Sequence, residues 1–134
     1  MRDQKHYLSI GISVAPGVLK TTTATGTGID LQGYEEATAA VQFGAITDGT
    51  FTPSLEESDT LGSGYTAVAA GDLLGSFSAA ATGGGASAVQ TVGYIGKKRY
   101  IRVVLTVTGS PATGGYAQAN ILRTRPRHMG GAAV

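Results

Sequence analysis

Arg99-Tyr100-Ile101-Arg102-Val103-Val104-Leu105-Thr106-Val107-Thr108 is the stretch that decides the fold class. Ile101, Val103, Leu105 and Val107 recur at every second position, with Arg102, Val104, Thr106 and Thr108 between them. Successive side chains of a strand point to opposite faces, so a period of two marks a half-buried β-strand. β-Branched residues dominate and fit a pleated surface. The first set is expected to face a core and the second to face outward.

The same signal extends in both directions. Val89–Ile95 reads as a strand that reaches this one through a tight hairpin turn at Gly96-Lys97-Lys98. Gly109-Ser110-Pro111 to Gly115 reads as a turn, and Tyr116–Arg125 as the last strand. Toward the N-terminus, Ala37–Ala45 places Ala37, Ala39, Val41, Phe43 and Ala45 on one face. Thr47-Asp48-Gly49 has hairpin-turn chemistry. Phe51–Glu57 then places Phe51, Pro53 and Leu55 together, and Pro53 marks an edge or a bulge. In Tyr7–Ser13, Leu8, Ile10 and Ile12 are expected to point one way. Shorter strands are expected in Val18–Thr25, Tyr65–Ala69 and Ser76–Ala81, a single helical or 3₁₀ twist at Ala70–Gly75, and a flexible loop at Thr82–Ser87.

About eight short strands near ten-residue spacing predict an all-β domain, an antiparallel β-sandwich or a jelly-roll-like barrel. The 134 residues fit one domain, with flexible arms over about 1–6 and 127–134. Gly, Ala, Thr and Ser make up 66 of the residues, too small a stock to build a helix-bundle core. Small inward residues such as Ala37, Ala39, Ala117 and Ala119 predict two sheets packed close. The absence of cysteine excludes a disulfide scaffold and thiolate chemistry. No apolar run has the length of a membrane span, and Tyr7–Leu19 is too interrupted for a signal peptide. No membrane partner and assembly in the cytoplasm are expected.

The net charge of +1 conceals a division. Residues 1–72 hold all nine acids and three bases, net −6; residues 73–134 hold seven bases and no acid, net +7. Two readings are open: acidic strands lie beside basic ones within the fold, or the two signs dock complementary neighbours. Nucleic-acid binding is a third. The basic candidates are Lys97, Lys98, Arg99 and Arg102 around one turn, and Arg123, Arg125 and Arg127, which share one face of an extended strand. The acidic candidates are Glu56, Glu57 and Asp59. A row of arginines suits carboxylates, and no aromatic residues are interleaved with it for stacking on bases, so a protein neighbour is favoured and nucleic acid disfavoured.

Catalytic material is sparse. His6 and His128 have no partner at metal-ligand spacing, and no Gly-x-Ser-x-Gly occurs. The acids lack calcium-loop spacing. Gly26-x-Gly28 lacks the third glycine of a dinucleotide site, and Gly96-Lys97 fails the phosphate-loop pattern at Thr91 and Lys98. No enzyme activity, cofactor or metal is expected.

Asp72-Leu73-Leu74-Gly75, followed by Val92-Gly93-Tyr94-Ile95-Gly96-Lys97-Lys98-Arg99-Tyr100-Ile101-Arg102-Val103-Val104-Leu105-Thr106, resembles a group of small structural proteins of tailed phages. In that group, stretches like Ile29-Asp30-Leu31-Gln32-Gly33-Tyr34 and Leu55-Glu56-Glu57-Ser58-Asp59 come before the tyrosine-lysine-arginine hairpin, as here. The resemblance covers roughly Val18 to Thr108; the chain departs from it in the Gly/Ala-rich stretch Ala79–Ala88 and in its tail. It implies a virion component, a capsid decoration (cement) protein that binds the major capsid protein on the capsid exterior, as a homotrimer by symmetry. Tail or head-to-tail β-modules belong to the same implication. Outside the resemblance, two readings stay open: a nucleic-acid-binding barrel, and a sugar-binding sandwich using Tyr65, Tyr94 or Tyr116.

Overall fold

Strand β10 (Tyr100–Thr108) forms the spine of one of two sheets. Ile101, Val103 and Leu105 are fully buried along it, as the period of two requires. The computed structural model describes residues 3–16, 21–81 and 89–127. The other long strands are β1 (Leu8–Val14), β4 (Tyr34–Ile46), β5 (Thr50–Ser58), β9 (Val89–Tyr94) and β11 (Gly115–Pro126). Five more are two residues long: β2 (Ala24–Thr25), β3 (Ile29–Asp30), β6 (Thr66–Ala67), β7 (Leu73–Leu74) and β8 (Ala80–Ala81). A 3₁₀ turn at Ala70–Asp72 stands where the helical twist is expected.

The first sheet has the order β1-β11-β4-β9-β7. The second is centred on β10 and β5, with β2 and β3 on the free side of β10 and β6 and β8 on that of β5. All these pairings are antiparallel. The sheets face each other as a sandwich. Ala37, Ala39, Val41, Ala117, Ala119 and Ile121 of the first pack toward Leu55, Ile101, Val103 and Leu105 of the second. The alanines let the two layers approach closely, as their inward positions predict.

The strand count exceeds the expected eight, reaching eleven among the described residues, because the short pieces pair locally with longer neighbours. Pro53 illustrates the economy. Leu55 turns its carbonyl away from β10, accepting the Val68 amide at 3.0 Å. Two residues along the strand, the Pro53 nitrogen faces the same way, into the gap between β6 and β8. The missing N–H therefore removes no bond to β10, and β5 runs in unbroken register from Thr50↔Thr108 to Ser58↔Tyr100.

The structure changes or sharpens three sequence expectations. The turns at 47–49 and 96–98 are not hairpins within one sheet: like the turn at 109–114, each carries the chain from one sheet to the other. Turn chemistry reports a reversal, but not which neighbour the next strand will pair with. Second, Ile10 and Ile12 face outward, at 56% and 57% exposure, while the small residues of β1 face in. The inward space is occupied: a Cβ on Gly11 would lie 2.9 Å from the Ile29 side chain. A bulge between Ile12 and Val14 then buries both Ser13 and Val14. Third, Val18–Thr25 and Ser76–Ala81 contract to Ala24–Thr25 and Ala80–Ala81. Residues 18–20 of the first, the loop Thr82–Ser87, and the arm residues 1–2 and 128–134, with His128, lie outside the described residues.

Ser13 stitches the two sheets where β1 approaches β10. Its Oγ accepts the Val103 amide at 2.9 Å and donates to the Thr27 carbonyl at 3.0 Å. The Thr27 amide donates back to the Ser13 carbonyl, and the Gly26 amide donates to the Val103 carbonyl, at 2.7 and 2.8 Å. A Cβ on Gly26 would sit 2.5 Å from the Val103 oxygen and closer still to Ser13 Oγ. Gly26 is thus required by a close approach of backbones, not by a nucleotide.

Candidate functional site

The register of β10 against β5 pairs Arg102 with Glu56 across the outer face of the second sheet. The guanidinium Nε and Nη2 each donate to Glu56 Oε2 at 2.7 Å. Arg102 also lies 3.9 Å over the Tyr65 ring, sandwiching its charge between a carboxylate and a π-face. Burial pushes the Tyr65 phenol up from its ordinary value; its OH donates to the Leu61 carbonyl at 2.8 Å.

At the end of these strands the turn between β9 and β10 folds over the acidic end of β5. Lys98 Nζ meets Asp59 at 2.7 Å, which holds the ammonium above its usual pKa. Tyr94 donates to Glu57 at 2.6 Å and accepts the Lys98 amide at 3.0 Å. Burial, then the Glu57 hydrogen bond, push the Tyr94 phenol strongly upward, so it remains a donor throughout the neutral range. Gly96 has no room for a Cβ against the Tyr94 ring.

Asp30 joins this turn to the last strand. It accepts from Arg99 Nε and Nη2 at 3.0 and 2.8 Å, a two-pronged pair that holds its carboxyl below the usual range. The Leu31 amide donates to the Arg99 carbonyl at 2.8 Å. Arg123 donates to the Asp30 carbonyl at 2.9 Å and to Ser9 Oγ at 2.7 Å, and lies 4.9 Å from the Tyr34 ring centroid.

Arg123, Arg125 and Arg127 do not form the single row that an extended strand would give. Arg125 has φ +54, a left-handed conformation, and its guanidinium reaches Glu36 at 3.3 Å. Arg123 instead turns to the rim between the sheets. Arg127 is exposed and, like Lys97, has no ion pair among the described residues. Both line a groove of about 860 Å³ that also holds Glu35 and Glu36.

The division of charge along the chain thus largely closes on itself. Asp30, Glu36, Glu56 and Asp59 each take a base from the second half of the sequence. The ten charged candidates are legible in the sequence, whereas Asp30 and Tyr34 are not singled out there, and Tyr65 and Tyr94, candidates for sugar binding, turn out to be partners of Arg102 and Glu57. The only signal for Asp30 was its place in the stretch Ile29–Tyr34. His6 is exposed beside Asp3, far from this corner in sequence. Among the described residues no three His, Cys, Asp or Glu side chains gather at metal-binding distance, and no helix is long and apolar enough to cross a membrane.

No protein-family model, curated protein or solved structure matches this chain.

Proposed function

We propose that this protein is a structural component of a tailed-phage virion, a decoration protein that binds the outside of the shell built by the major capsid protein. One observation carries the proposal. Three of the stretches on which the resemblance rests, Ile29–Tyr34, Leu55–Asp59 and the Tyr94–Arg102 turn, are far apart in sequence and meet at one corner of the sandwich. Asp30–Arg99, Glu56–Arg102, Glu57–Tyr94 and Asp59–Lys98 join them. They therefore form one framed structural unit beside the groove of Lys97, Arg127 and Glu35.

That groove offers both signs of charge. A protein surface with interspersed charges fits it, and a polyanion does not, because Glu35 and Glu36 would face phosphates. Lys98, Arg99, Arg102 and Arg125 are further neutralised by their own carboxylates. This favours a protein neighbour over nucleic acid.

Co-sedimentation of the purified chain with expanded capsid shells tests the proposal. The wild type is expected to pellet with shells, and the Lys97→Glu/Arg127→Glu variant to lose most of its occupancy while keeping its circular dichroism. Wild type that stays in the supernatant contradicts the proposal. A DNA titration at low and high salt separates the nucleic-acid reading, which requires steeply salt-weakened binding.

A further inference from the structure

The outer face of the five-stranded sheet carries no charge over three successive cross-strand rows. Ile10, Leu122, Thr38, Gly93 and Leu74 form one row; Ile12, Asn120, Ala40 and Thr91 form the next; Gln118, Gln42 and Val89 form the third. Charges begin only one row further along, at Thr124–Glu36. Of the eight large apolar side chains most exposed among the described residues, five lie on this face: Ile10, Ile12, Leu74, Val89 and Tyr116. Leu74 is 60% exposed and Val89 50%. A shallow groove of about 350 Å³ between Val89, Tyr116, Gln42 and Gln118 opens on it. The apolar side chains stand in two groups, Ile10 and Ile12 at the β1 edge and Leu74 and Val89 toward the β7 edge, with uncharged polar residues between them, a mixed uncharged surface suited to an interaction site.

We propose that this face pairs with the same face of a second copy of this chain, across a twofold axis, in place of the homotrimer that the resemblance implies. Three observations select a second copy. A twofold contact sets identical patches against each other, so charge on the patch would meet like charge; this patch has none. Its polar members, Asn120, Gln118, Gln42, Thr38 and Thr91, are amides and hydroxyls, which carry donor and acceptor together and can bond to their own copies. The Gln118 amide already donates to Gln42 in this manner across neighbouring strands.

The third observation is area. The twelve residues of the three rows, each covering about 4.8 by 6.6 Å of the sheet, give a flat footprint of roughly 400 Å² per copy. Two copies cover about 800 Å² before the relief of the side chains is added, near the lower bound of about 1,000 Å² for a specific interface, which suits a dimer that forms with concentration. The outer face of the other sheet is unlike it, with Arg102 and Glu56 in its midst. The pairing stacks two sandwiches at the usual sheet spacing of about 10 Å. It goes beyond shell binding and uses a different surface from the charged corner, so one can fail without the other.

Sedimentation equilibrium of the full chain, without shells, tests it. The wild type is expected at the dimer mass, and Ile12→Lys and Val89→Lys at the monomer mass with unchanged circular dichroism and melting. Thr52→Lys, on the outer face of the second sheet, is expected to remain a dimer. The chain lacks cysteine, so Thr91→Cys supplies a sole thiol; a short bis-maleimide is expected to link two Thr91→Cys copies but not two Thr52→Cys copies. A monomer at every concentration, a trimer, or a dimer that both lysine variants leave intact overturns the pairing. A wild type that binds shells fully but stays monomeric in solution would sink this inference and leave the proposed function standing.

Discussion

Ser13 ties the two sheets together through one hydroxyl. It is buried, and its hydroxyl is the partner of the Val103 amide. Removing the hydroxyl strands a buried N–H, which costs about 1–3 kcal/mol. Ser13→Ala is therefore expected to lower stability by that amount in urea unfolding, and Gly26→Ala to be at least as harmful because its Cβ overlaps Ser13 Oγ and the Val103 carbonyl. Neither position is legible in sequence. Ser13 looks like an outward polar residue, because the bulge that buries it has no signature in one chain read alone. The acid response also belongs to single residues. Asp30 is held low mainly by Arg99, and Asp48 by the Gly114 amide and those of Ala112 and Thr113, which close the turn before β11. A carboxyl whose folded pKa lies below its unfolded value stabilises the fold above the unfolded value, and that contribution is lost as pH falls through the folded one. Melting is thus expected to be flat from neutral pH to about 5 and to fall below about 4, the ordinary carboxylate range. Asp48→Ala is expected to melt lower at neutral pH and to lose less on acidification; an identical acid slope in the variant would refute the assignment.

At the scale of elements, β10 was legible almost in full. Its period of two is long enough that no helix competes, and Ile101, Val103 and Leu105 are buried as expected. Val103→Asp places an unpaired charge between the sheets, and burying one costs several kcal/mol. It is expected to abolish the cooperative unfolding transition; a folded, soluble variant would mean that this face is not the core. β4 and the Phe51–Leu55 segment were legible for the same reason. β1 was not. Its apolar residues alternate cleanly, but alternation says only that two faces differ. Which one turns inward was decided by Ile29, which leaves no space over Gly11. The turns were visible through Gly and Asp, while their passage between sheets depends on contacts between residues far apart in sequence.

At the scale of the molecule, the halves of opposite charge are brought together by β10 lying beside β5 and by Asp30 reaching Arg99. Composition exposed the division but could not choose between closure within the chain and docking outside it, because a strand's neighbour is set by the whole sheet. With most pairs closed, the residues left for a neighbour at the charged corner are chiefly Lys97, Arg127 and Glu35. Full reversal of Arg123, Arg125 and Arg127 would also break the Arg123 bonds to Asp30 and Ser9, so it would confuse docking with folding. The central claim, a protein that coats a phage shell, is tested most directly by its copy number and position on purified particles. Quantitative mass spectrometry of separated heads and tails is expected to find it in the heads, in fixed proportion to the major capsid protein. Its absence from heads, or a number that follows tail length, would contradict the account.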